Sequence, residues 1–142
     1  MIEVPAAALV ADHLAKECDF LSIGTNDLIQ FSLAIDRSDQ LMNQFYEPAD
    51  PSIIRLIKLV VTKAKKAKAP VSVCGEIATD PRFTALLLGL GVKELSVIPR
   101  YLPLIKEVIR NTTMADAVKL ANKALRLTTA EEILTLLPRY DE

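Results

Sequence analysis

The chain has 142 residues, half of them hydrophobic and a quarter charged, with 17 Lys and Arg against 18 Asp and Glu. A formal charge of -1 leaves no electrostatic reason to expect nucleic acid or a membrane surface as partner. Two cysteines, Cys18 and Cys74, are too few for a disulfide framework or a structural zinc site and fit a reducing cytoplasm. No apolar run reaches the roughly 18 residues that span a bilayer, and no segment reads as a signal peptide.

In chain order, "MIEV" reads as a short strand, and Pro5 at a first helical position opens one helix over "AAALVADHLAKEC". "DFLSIG" is a second strand, followed in "TNDLIQFSLAID" by a tight turn and a short helix. "YEPADPS" is a loop whose Ser52 is expected to cap the helix "IIRLIKLVVTKAKKAKA", apolar at Ile53, Ile54, Ile57, Val60 and Val61 with its lysines outward. "PVSVCG" is a third strand. Asp80 as cap, Pro81 at the first position and Gly91 near the end frame a helix over "DPRFTALLLGLG". "KELSVIP" is a fourth strand, and "RYLPLIKEVIRN", "MADAVKLANKALRL" and "AEEILTLLP" are three closing helices.

Short apolar strands separated by helices pair in parallel, so the fold class is α/β. Four such units fit a small doubly wound sheet or half of an eight-stranded barrel, and periodicity does not separate them. Both place ligands at the carboxyl ends of strands. There lie Glu3, then Thr25, Asn26 and Asp27, then Cys74, Gly75 and Glu76. Glu3 and Asp27 offer the hard oxygen donors that magnesium prefers, and the planar fork of Arg37 suits phosphate or carboxylate. Taken alone, each has a plainer reading. Cys74 equally suits a buried structural thiol, Asn26-Asp27 a turn and helix cap, and Arg37 beside Asp36 and Asp39 a solvated charge cluster. His13 has no partner at ligand spacing and reads as an ordinary helical histidine.

"MIEVPAAAL", "FLSIGTNDLIQFSLAIDR", "VCGEIATD" and "LLLGLGVKELSV", in this order and spacing, resemble the carboxy-terminal part of enzyme I of the bacterial sugar phosphotransferase system, the phosphoenolpyruvate-protein phosphotransferases. The likeness runs nearly end to end. It implies that residues 1–142 form one partial domain, the second half of a (β/α)8 phosphoenolpyruvate-binding barrel with extra closing helices. It also implies roles: Glu3 and Asp27 hold Mg2+, Asn26 and Arg37 contact phosphoenolpyruvate, and Cys74 handles the proton as pyruvate forms.

The family's phosphorylated histidine, and the domain that docks the histidine-containing phosphocarrier protein, belong to an amino-terminal part not in this chain. A first residue inside a barrel strand therefore implies a fragment that is inactive by itself. "VIPRYLP" departs from the family's usual small, serine-bearing stretch. Pyruvate phosphate dikinase and phosphoenolpyruvate synthase share the barrel and the "GTND"-like turn, and remain alternatives, as does a non-catalytic dimerisation module. Two open sheet edges and an apolar inner face are expected to draw two copies into a homodimer.

Overall fold

The computed structural model describes residues 1–35 and 42–140. Three parallel strands, β1 (Leu21–Gly24), β2 (Val71–Cys74) and β3 (Glu94–Leu95), form a sheet whose spatial order follows the chain. Leu21, Ser22, Ile23 and Gly24 lie opposite Val71, Ser72, Val73 and Cys74, and Ser72 lies opposite Glu94. The fold is α/β, as expected.

The expected first strand is reduced to one bridge, Ile2 to Ile23, because Pro5 opens a helix three residues later. Ile2 N–H donates to Ser22 O at 2.7 Å and Ile2 O accepts from Gly24 N–H at 3.0 Å, which extends the sheet past β1. The expected fourth strand is likewise short. Only Glu94 and Leu95 pair regularly, flanked by bonds from Lys93 N–H to Val71 O at 3.4 Å and from Ser96 N–H to Val73 O at 2.9 Å.

The helix expected before β1 is two: α1 (Pro5–Leu9) and α2 (Ala11–Glu17), broken at Val10, whose φ of -109° and ψ of 18° are not helical. The helix α3 (Thr25–Leu33) starts directly at the end of β1, where a tight turn was expected. The helix α4 (Pro51–Lys66) is capped by Asp50 and not by Ser52. Pro51 takes the first helical position, so the cap falls one residue before it. The Asp50 carboxylate accepts from Ser52 N–H at 2.8 Å. The α4 residues expected inside, Ile53, Ile54, Ile57, Val60 and Val61, are all buried. Lys63, expected to be merely wet, pairs with Asp12 and ties α2 to α4, and this hydrogen bond holds the Asp12 carboxyl below its ordinary pKa.

After β2 come α5 (Glu76–Thr79) and α6 (Pro81–Leu90), the latter with the expected Asp80 cap, Pro81 and Gly91 at φ 104°. The closing helices are α7 (Leu102–Asn111), α8 (Met114–Ala124) and α9 (Ala130–Leu136). A Cβ on Gly89 would run into the Ala117 carbonyl and come within 2.9 Å of Ala121 Cβ, so α6 and α8 cross backbone against backbone. Ala121, Ala124, Ile133 and Leu137 join the buried cluster that also holds Ile2, Ile23, Val73 and Leu86. One core therefore runs from the first residues to the last helix.

The two faces of the sheet differ. Leu21, Ile23, Val71 and Val73 are buried among the helices, whereas Ser22, Ser72 and Cys74 are half-buried and Glu94 is exposed. The register puts Ser22, Ser72 and Glu94 in one row. The inner face expected to be apolar is thus a ladder of small and polar side chains, because successive strand residues alternate sides.

Candidate functional site

The site is built where β1 and β2 end side by side. Gly24 and Cys74 are the last paired residues, and both chains then turn into helices, α3 at once and α5 after Gly75. Beyond this rung, side chains replace the backbone ladder. Thr25 Oγ1 donates to Cys74 O at 2.8 Å, and Glu76 N–H donates to Asn26 Oδ1 at 2.9 Å. Thr25 is fully buried.

Gly75 lies between these two bonds with φ 101° and ψ -169°, a conformation that is essentially confined to glycine. A Cβ there would meet Thr25 Oγ1 and lie 2.6 Å from Asn26 Oδ1. The Asn26 carbonyl oxygen is committed to Glu76. Its Nδ2 therefore presents the donor side of the amide, which suits an anionic oxygen.

Cys74 Sγ–H faces Ile23 O at 3.5 Å, and Ser22 Oγ lies 3.9 Å from the sulfur. Glu3 reaches the same end of the sheet from the segment bridged to β1. An ideal Cβ on Gly24 would fall 2.7 Å from both Glu3 Cγ and Glu3 Oε1, so the missing side chain at 24 is what admits the carboxylate. Asp27 stands in the first turn of α3, half-buried. Gly24 provides α3 with no side-chain cap, so the first N–H groups of that helix favour negative charge at this end of the sheet.

Glu3, Asn26, Asp27 and Cys74 thus come from three segments to the carboxyl ends of neighbouring strands. Arg37 lies outside the described residues. No group of three or more His, Cys, Asp or Glu that could hold a metal ion gathers among the described residues. Sequence reasoning missed the structural parts of Thr25 and Gly75, which depend on the pairing of Gly24 with Cys74. A concavity of 350 Å³ is lined by Ala115, Val118, Lys119, Asn122, Lys123 and Arg126, and by none of these residues. It lies along α8 and the turn that follows it.

The sequence profile of the family described as "PEP-utilising enzyme, PEP-binding domain" matches residues 1–114, most of the chain. The chain belongs to this family. Among curated relatives, phosphoenolpyruvate-protein phosphotransferase of Buchnera aphidicola subsp. Schizaphis graminum is 48% identical over 140 residues, 99% of this chain and 25% of the relative. The proteins of that name from Haemophilus influenzae and Listeria monocytogenes are 45% and 44% identical, each over 99% of this chain and 24% of its own length. The PEP-utilising family assignment agrees with the resemblance carried by the motifs at residues 20–37 and 73–80. The chain spans about a quarter of the length of the curated relatives it matches.

Proposed function

We propose that this chain is the second half of the phosphoenolpyruvate-binding barrel of a phosphoenolpyruvate-protein phosphotransferase. The carrying observation is the joined end of β1 and β2, where Gly24 pairs with Cys74, Asn26 is bonded across to Glu76, Asp27 stands in the first turn of α3 and Glu3 lies against Gly24. Two features support the barrel reading over a doubly wound sheet. Strand order follows chain order, and the helices bury one face of the sheet while the other stays polar and half open.

Glu3 and Asp27 hold magnesium, whose charge, when bound, offsets the negative charge developing on enolate and phosphoryl oxygens. The space above Gly24 fits this role, since it lets the Glu3 carboxylate reach the strand end. Asn26 donates its Nδ2 hydrogens to an anionic oxygen of phosphoenolpyruvate. Arg37, always charged, grips the phosphate with its planar fork. As the phosphoryl group leaves, Cys74 protonates the enolate carbon: its S–H bond breaks, a C–H bond forms to give pyruvate, and the thiolate regains a proton from water.

The phosphoryl group passes to a histidine outside this segment, and from there to a histidine-containing phosphocarrier protein in the cytoplasm, for sugar uptake. His13, exposed on α2, takes no part.

A hybrid tests the proposal: residues 1–142 replace the matching quarter of the Haemophilus influenzae protein, and pyruvate formation is followed with magnesium and the carrier protein. Turnover on the order of 10 per second is expected, abolished by Asp27→Ala. A folded hybrid that forms no pyruvate would refute the proposed function. The chain by itself is expected to form none.

A further inference from the structure

Thr25 is one of only two buried polar residues among the described residues. Its position is unusual for its chemistry. A threonine at the start of a helix commonly turns its hydroxyl back onto the helix's own N–H groups. Thr25 instead sends its hydroxyl across to the neighbouring strand, to the carbonyl of Cys74 at 2.8 Å. That carbonyl lies just past the last backbone pair, where β1 has already become α3 and no longer supplies a strand N–H. The hydroxyl adds one rung to the sheet. Asn26 adds the next, through Glu76 N–H.

The two rungs share the Cys74–Gly75–Glu76 backbone. Fixing the Cys74 carbonyl fixes the rotation of the peptide that follows the thiol-bearing residue. It also fixes the direction in which Glu76 N–H meets Asn26. The sulfur itself is held less closely, with its contacts at 3.5 and 3.9 Å.

We infer that Thr25 is the positioning residue for proton delivery, a hydroxyl that never touches substrate but aims the Cys74 thiol at one face of the enolate. This rests on the proposed role of Cys74 as proton donor. Chirality of the product reads it. An enolate protonated by a fixed thiol receives hydrogen on one face, whereas one that leaves the site unprotonated and meets bulk water receives it on both.

The experiment uses the full-length enzyme bearing this segment, with phosphoenolpyruvate stereospecifically tritiated at its methylene, in deuterated water, and the configuration of the methyl group of pyruvate is determined. The parent and Thr25→Ser, which keeps the hydroxyl, are expected to give one configuration. Thr25→Val, equal in size but without the hydroxyl, is expected to give a racemic methyl group with turnover lowered about 10-fold or more. A Thr25→Val enzyme as selective as the parent overturns the inference. Cys74→Ala distinguishes this from failure of the underlying role: if that variant keeps the parent's selectivity, the thiol is not the donor and the inference falls with it. If Thr25→Val does not fold, Thr25→Ala takes its place with the same two readings. Loss of the fold in both would make Thr25 purely structural and overturn the inference.

Discussion

Replacing Gly75 with alanine should damage the protein far more than a methyl group ordinarily does. The backbone at φ 101° and ψ -169° lies where a non-glycine residue costs about 1–3 kcal/mol. The added Cβ also lands on Thr25 Oγ1 and 2.6 Å from Asn26 Oδ1, so both hydrogen bonds across the strand ends must give way. Each is worth about 1 kcal/mol net. Together the loss is about 3–5 kcal/mol, a fall in melting temperature on the order of 10 °C for a chain of this size. Gly24→Ala is the matched control. Its φ of -86° is open to any residue, and its Cβ would meet mainly the flexible Glu3 side chain, which can swing aside. It should cost less than about 1 kcal/mol while displacing a proposed magnesium ligand. Urea unfolding followed by circular dichroism measures both. A Gly75→Ala protein within about 1 kcal/mol of the parent, or one no worse than Gly24→Ala, would refute the argument.

Gly89→Ala should separate α6 from α8, because the new Cβ runs into the Ala117 carbonyl; a loss of about 1–3 kcal/mol in the same unfolding assay is expected, and a neutral result would contradict the close crossing. The backbone N–H groups of Thr128 and Thr129 donate to the Glu132 carboxylate and hold its pKa below the ordinary glutamate value. Its contribution to stability is therefore fully present above the unfolded value and lost as the pH falls through the lower folded value, and Glu132→Gln should flatten that part of an acid melting series. The chain should pair with a second copy through its open edges at Ile2 and β3, even though the helix-free face is polar; sedimentation equilibrium at micromolar concentration giving the mass of one chain throughout would sink this.

Where a residue type has a single backbone meaning, the sequence was readable. Asp80, Pro81 and Gly91 mark the ends of α6 without reference to anything distant, and all three act as expected. The same code stands at Asp50-Pro51, where a proline at the first helical position puts the cap at Asp50 and not at the expected Ser52. The break at Val10 is different, since the alanine and leucine pattern runs through it without glycine or proline. The first and last strands are shorter than their sequences suggest because a β-branched run describes a willing strand, whereas its paired length depends on what lies alongside. The polar ladder was legible in principle. Ser22 and Ser72 alternate with Leu21, Ile23, Val71 and Val73 at the two-residue period of a strand. At the site, the motifs placed Glu3, Asn26, Asp27 and Cys74 at strand ends. The roles of Thr25 and Gly75 follow only from a register joining residues about fifty positions apart, which no local pattern encodes.

The crossing of α6 and α8 bears on where this protein can be cut. The family profile stops at residue 114, the first residue of α8, which invites the view that everything after it is an appendage. A protein trimmed there would keep every residue of the proposed site and lose the wall behind it. Gly89 would face solvent in place of Ala117, and the places of Ala121, Ala124, Ile133 and Leu137 in the common core would stand empty. Losing one buried isoleucine side chain already costs about 2–5 kcal/mol, a large part of what holds an ordinary domain together. Arg55 of α4 would also lose the Leu127 carbonyl to which it donates at 3.2 Å. The shortest piece that keeps its shape therefore ends near Leu137, and sequence likeness and mechanical completeness have different boundaries in this chain.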